Sequence, residues 1–201
     1  MTEKKRTRVA VLGTLAEFHR ESIPYNLSAL LDLVAAINPD LLCLDITPEQ
    51  WQAQSFSDLP PEYQEALLPL ARQTDIVIAP IGDGQPTPKL EATGWRGKAI
   101  EWLRRRIAAI QRTAPSPDAM NQGWRHDLAN HLYSATQWLV RNGIETILRE
   151  RTDRLTQNIL TIARRDPDAR VLVVVNIQYC HVIRARLRDY DDLDVGGHND
   201  L

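Results

Sequence analysis

Val171-Leu172-Val173-Val174-Val175 is an unbroken apolar run, and Asn176, Gln178 and His181 follow it at once. Three other stretches repeat the arrangement. Val9-Ala10-Val11-Leu12-Gly13 leads to Glu17 and His19, Leu41-Leu42-Cys43-Leu44 to Asp45, and Ile76-Val77-Ile78-Ala79 to Asp83. Runs this short and this apolar, separated by helical patterns, read as strands of a sheet covered on both faces. The expectation is an α/β fold with a mixed, mainly parallel sheet of strands Val9–Leu12, Leu41–Leu44, Ile76–Ala79 and Val171–Val175. In such sheets ligands sit outside the carboxyl ends of the strands. Four strands delivering acids, amides and histidines to one edge mark a candidate site.

The connecting segments support this reading. Leu27, Leu30, Leu31, Val34 and Ile37 form a helical stripe that Asn38-Pro39-Asp40 stops, so the first two strands belong to a βαβ unit. Thr47-Pro48-Glu49 has a helix start, with Thr47 as N-cap and Pro48 at the first helical position. Leu59-Pro60-Pro61-Glu62 opens a short helix to about Leu70. After the turn-rich Gly82-Asp83-Gly84-Gln85-Pro86-Thr87-Pro88, a helical insertion occupies about 87–165. It reads as three helices. The first is expected to bury Trp95, Ala99, Trp102, Leu103, Ile107 and Ile110. The second carries Trp124, Leu128, Leu132, Ala135 and Leu139 and stops near Asn142-Gly143. The third runs from Ile144 to Arg165. A last strand and a final helix complete the chain. Insertions at a strand's carboxyl end often act as lids over the crevice.

The 201 residues suit one domain, 1–201, with a full core. A formal net charge of -2 provides no global basic field, which argues against nucleic acid or an anionic membrane as partner. Cys43 and Cys180 fall in or just after strands and lack C-x-x-C spacing, so they read as core thiols. There is no 18-residue apolar stretch, and the polar N-terminus runs straight into a strand, so the chain reads as cytoplasmic.

Arg151 lies on the apolar stripe Ile144, Ile147, Leu148, Leu155, Ile159 and Ile162, with Asn158 two turns further on. A buried guanidinium needs partners, because leaving it unpaired costs several kcal/mol or more. It reads either as a structural ion pair or a snorkelling side chain, or as an arginine aimed at an anionic group in the crevice; the expected partners are a carboxylate, Asp45 or Glu17, or backbone carbonyls near the strand ends. The remaining histidines carry weaker signals. His126 and His131 are five apart and do not share a helical face, and His198 stands in a tail expected to fray. Arg104-Arg105-Arg106 spreads round its helix as a solvated face.

Glu150-Arg151-Thr152-Asp153-Arg154-Leu155-Thr156-Gln157-Asn158-Ile159, followed by Val171–Val175 and then His181-Val182-Ile183, resembles the C-terminal half of the TraB/Tiki/erythromycin-esterase-like/ChaN-like superfamily. Val11-Leu12-Gly13-Thr14 is similar to that family's "L-G-T-x-H", and Asn38-Pro39-Asp40-Leu41-Leu42-Cys43-Leu44-Asp45 to its "P-D-x-V-x-x-E". The resemblance implies an α/β fold with a long helical insertion. Its members include hydrolases, metal-dependent proteases and haem-binding proteins. By position it implies a site of His19, Asp45, Arg151 and His181; His19, Asp45 and His181 are then the expected ligands of a divalent ion such as zinc or manganese, and Asp45 and Arg151, with Glu17 after the first strand, the expected catalytic residues. The chain departs from the pattern at both histidines. The family's stand three residues after a glycine, whereas His19 is six after Gly13 and His181 five after Asn176; Asp45 replaces a glutamate.

Two readings follow. One is a hydrolase, metal-dependent or not, acting on a small molecule or peptide at the strand ends. The other is a non-catalytic member of the same fold that binds a small molecule, haem-like or otherwise, or a protein.

Overall fold

The computed structural model describes residues 6–85, 88, 92–140 and 144–201. Its strands are β1 (Thr7–Thr14), β2 (Leu41–Leu44), β3 (Val77–Pro80), β4 (Arg170–Asn176) and β5 (Leu193–Gly196). They form one sheet in the order β3-β2-β4-β1-β5. Every pairing is parallel, including that of β5, the strand the sequence reading lacks. The quoted run is the centre: Val171 lies opposite both Val9 of β1 and Leu41 of β2. Flanked on both edges and covered on both faces, Val171 to Val175 are wholly buried, which is why the run contains no polar residue.

Helix α1 (Leu27–Ile37) returns the chain from β1 to β2. Asn26 caps its start by accepting from the Ala29 N–H, and Asn38 closes it in the left-handed region at φ 46°. Between β2 and β3 come α2 (Pro48–Gln52), a π-helical stretch (Glu62–Leu67) and α3 (Leu68–Gln73). Thr47 and Gln50 form a reciprocal capping box on α2. Pro69 has no N–H to continue the α-ladder, and the Leu68 N–H reaches back five residues to Tyr63.

Among the described residues the insertion has four helices, not three: α4 (Gly94–Arg112), α5 (Pro117–Asn121), α6 (Gly123–Val140) and α7 (Ile144–Arg165). The expected helix stop at Asn142-Gly143 and the expected turn at Pro86-Thr87 lie outside the described residues. Helix α8 (Ile177–Leu187) leads from β4 to β5. Right-handed crossovers in opposite directions along the sheet put α1 and the π-helix on one face and α7 and α8 on the other. Among the described residues no helix is long and apolar enough to cross a membrane.

Trp95 and Trp102 correct the expected core. They are 66% and 54% exposed, and Trp124 and Leu128 are exposed too. Helix α4 buries Leu103 and Ile107 as expected, with Ile100 and Gln111 beside them. The stripe that faces the protein lies beside the one containing the tryptophans, and Arg96 and Arg106 stack on the two outward indoles.

Candidate functional site

The order β3-β2-β4-β1-β5 fixes where a crevice should open. Beyond β2 the chain leaves towards β3, and beyond β4 it leaves the other way, towards β5. The carboxyl ends of β2 and β4 therefore make the topological switch point at which open α/β sheets bind ligands.

This protein fills that crevice with its own side chains. The Tyr63 hydroxyl donates to the Val174 carbonyl at 2.8 Å and accepts from the Asp45 N–H at 3.3 Å, joining the ends of β4 and β2. From α7, Arg151 extends over the same ends and is only 6% exposed. Its guanidinium donates to Asp45 Oδ2 at 2.7 Å, to Asp83 Oδ1 at 2.6 Å and to the Gln85 carbonyl. It also lies against the Tyr179 ring. Arg154, one turn on, binds the other Asp83 oxygen at 2.9 Å, and Asn158 donates to the Ile81 carbonyl. Gly82 permits this convergence: a Cβ there would come within 2.7 Å of the Ile46 backbone, so a side chain would push β3's end, and Asp83, away from β2. Burial pushes the Asp45 carboxyl above its ordinary range, and the Asp83 charge adds to this against the pull of Arg151. Burial also opposes the Arg151 charge, but Asp45, Tyr179 and Asp83 outweigh it and hold the guanidinium protonated. Two carboxylates and two guanidiniums thus neutralise one another at the strand ends.

Of the other expected site residues, Glu17 is exposed and pairs with Arg20 at 3.0 Å rather than with Arg151. His19 points into the protein. The Leu15 N–H donates to its Nε2 and its Nδ1–H donates to the Tyr25 carbonyl, both at 2.9 Å. That pair of partners requires the neutral ring. Burial agrees, pushing its pKa down to about 4 against its hydrogen bonds to the Tyr25 and Asn26 backbone. Glu62, at the end of β1, is equally enclosed: burial raises its carboxyl, opposed by hydrogen bonds with Thr14 and Ala16, and its Oε2 has no partner among the described residues.

His181 sits elsewhere, on α8, with its ring centroid 5.7 Å from that of His126 on α6. His19, Asp45 and His181 are therefore not brought together. Among the described residues no three His, Cys, Asp or Glu side chains are grouped to hold a metal ion. The residues named for a divalent ion do not fit it here.

What His181 does line is a cavity of about 400 Å³ towards the β1–β5 edge of the sheet. Its origin is the shortness of β5. Because β5 ends at Gly196, opposite Ala10, the edge of β1 beyond that point has no strand neighbour among the described residues. Side chains take its place. The Asn121 amide donates to the Gly13 carbonyl at 3.2 Å and accepts the Gly13 N–H at 2.6 Å, as a neighbouring peptide group would. Gly13 must be glycine for this approach, since a Cβ would lie 3.1 Å from the Asn121 amide oxygen and 2.3 Å from Ile177 Cδ1. Arg184, from α8, donates to the carbonyls of Val11 at 2.7 Å and Asn121 at 3.1 Å, and touches Cys180 Sγ. The C-terminal turn closes the far side. His198 is buried and bonds to Asp118 of α5 at 2.7 Å, so the segment expected to fray is fixed.

The cavity between α5, α6 and α8 is lined by His126, Asp127, His181, Arg184, Arg188 and Asp200, among others. His126 bonds through Nδ1 to the Met120 carbonyl, and its pKa is lowered by burial and by the nearby Arg184 charge. Charged walls of this kind do not suit a haem, whose macrocycle needs apolar ones. Sequence reasoning passed over Arg184, although the signal was present: it shares the face of Ile177, Cys180 and Leu187, as Arg151 shares that of Leu148 and Leu155.

Comparison with protein-family models, with curated proteins and with solved structures finds no match for this chain. The superfamily resemblance rests on the sequence motifs alone.

Proposed function

We propose that this chain is a small-molecule-binding protein, the non-catalytic of the two readings. Its ligand site is the cavity between α5, α6 and α8 rather than the crevice at β2 and β4. One observation carries the proposal. The crevice residues are engaged with one another, Arg151 with Asp45 and Asp83, while the cavity keeps polar side chains that face open volume. A hydrolase using Asp45 and Arg151 would first have to break a buried, charge-matched network, which leaves charges uncompensated in low dielectric. The cavity requires no such rearrangement, and its size falls within the range of small-ligand pockets.

Ligand-observed NMR with a library of polar fragments tests this, using Ala185→Trp as the comparison. Ala185 lies on the exposed side of α8 and lines the cavity, so the indole fills it without entering the core. Fragments that bind the parent and not the variant are the expected result. Ester hydrolysis by the parent that disappears in Asp45→Asn would overturn the proposal in favour of the hydrolase.

A further inference from the structure

We infer that this cavity takes the anionic group of its ligand, a carboxylate or a phosphate, against Arg184. The inference rests on the binding-site reading above and adds the class of ligand. Arg184 is 9% exposed and carries the only buried formal charge among the side chains named as lining the cavity. No carboxylate forms an ion pair with it among the described residues. Its partners are two backbone carbonyls and the Cys180 sulfur, and its Nε, although buried, has no partner. Carbonyl dipoles solvate a guanidinium in part, but they do not cancel its charge.

At the floor of the cavity Arg184 is the charged group, and mixed charge stands only at the mouth. His126 is buried beside Arg184, and His181 lies against His126. Arg188, one turn beyond Arg184, is at the exposed rim. The acids that line the cavity, Asp127 and Asp200, are solvent-exposed, where water screens them; Asp200 is further engaged with the Gly197 N–H. A buried cation facing exposed anions makes a field that draws an anion inward. A carboxylate or phosphate also matches the fork of an arginine in a way that chloride does not.

The test follows the ring C–H NMR signals of His126 and His181 while the parent is titrated with inorganic phosphate or with succinate. Sodium chloride at matched ionic strength, glycerol and ethylenediamine serve as controls. Phosphate, succinate or both should shift the two histidines saturably, with the controls silent, and the two arms tell a phosphate from a carboxylate ligand. Arg188→Ala, which leaves the β1 edge untouched, should weaken binding by roughly ten-fold, the loss of one charge-assisted contact. Arg184→Lys, checked for an intact fold by its melting curve, should weaken it further, whereas Arg105→Ala on the outside of α4 should leave it unchanged. Anion binding equal in all three variants would overturn the inference. If glycerol or ethylenediamine binds and the anions do not, the cavity reading stands and the anion is excluded. If no probe or fragment binds, both fall.

Discussion

Arg151 and Arg184 are both arginines on the inward stripe of a helix in the same layer, and both are buried, yet their surroundings differ in kind. Arg151 closes the β2–β4 end of the sheet between two carboxylates. Arg184 stands at the β1–β5 end among carbonyls and borders open volume. The contrast has a topological cause. At the switch point, two strand ends and their loops bring Asp45 and Asp83 within reach of one helix. At the other end, β5 stops early and provides no side chain to match the charge. A charge that is already matched holds elements together, and one that is matched only by dipoles can still attract a ligand.

The largest expected effect comes from truncating both arginines in parallel. Arg151→Leu strands Asp45 in a buried site and leaves Asp83 with Arg154 alone, and should cost about 3–5 kcal/mol. Arg184→Leu leaves behind only unpaired carbonyls and should cost less, about 1.5–3 kcal/mol. Urea unfolding of the two variants measures the difference. Adding Asp45→Asn and Asp83→Asn to Arg151→Leu should recover part of the loss. A cost for Arg184→Leu equal to that of Arg151→Leu would erase the distinction between the two ends.

The next effect concerns His19, which the resemblance places at the crevice and the structure places inside the protein. Its folded pKa of about 4 lies below the ordinary value of 6.5. A neutral His19 therefore contributes stability that is fully present above about pH 6.5 and lost as the pH falls towards 4. The loss reaches about 3 kcal/mol. His19→Gln keeps an acceptor for Leu15 and a donor for Tyr25 but does not titrate. Melting temperatures of parent and variant should converge in acid, the parent losing its advantage between pH 6.5 and 4. Parallel curves over that range would mean that His19 is already reached by water, as a ligand-binding histidine would be.

Most of the sheet was legible because buried parallel strands leave no room for polar residues, and β4 follows that rule from Val171 to Val175. Strand β5 was not, because Leu193-Asp194-Val195-Gly196 is short, lies at an edge and alternates with an acid. Arg151 was legible through helical periodicity, and Asp45 through its place after a strand. Asp83 was noted only as the acid after the third strand, and its pairing with Arg151 depends on the approach of Gly82 to Ile46, which no spacing reports. The cavity was the hardest to foresee. His126 and His181 are distant in sequence and meet only because α5 and α6 fold back over the unpaired edge of β1. His198 was misread because proximity to a terminus says nothing of tertiary contacts, and its bond to Asp118 crosses the chain.

Glu62 sharpens the picture of the closed end. Its carboxyl is raised by burial, so any stability it lends is present while it is protonated and is lost as the pH rises through its folded pKa. Glu62→Gln retains the shape without the charge. The variant should melt above the parent at pH 8, with the gap closing as the pH is lowered to 4. A parent that melts higher at pH 8 would show that the carboxylate has a cationic partner there.

The smallest effect is expected at Trp95 and Trp102, and its size is the point. Burying an indole in the core makes its truncation cost about 3–5 kcal/mol, whereas surface substitutions usually stay within about 0.5 kcal/mol. Both rings face outward on α4 with an arginine stacked on each, while Ile100, Leu103 and Ile107 face the protein. Replacing Trp95 and Trp102 together by Ser should therefore change the urea midpoint very little, and Leu103→Ala alone should lower it more than the pair does. Neither change touches the cavity, so the phosphate or succinate titration of His126 and His181 should be the same in Trp95→Ser/Trp102→Ser as in the parent. If the double substitution instead unfolds the chain, the inward face of α4 is the one carrying the tryptophans. The packing of α4 on α6, which sets the position of His126, would then have to be redrawn.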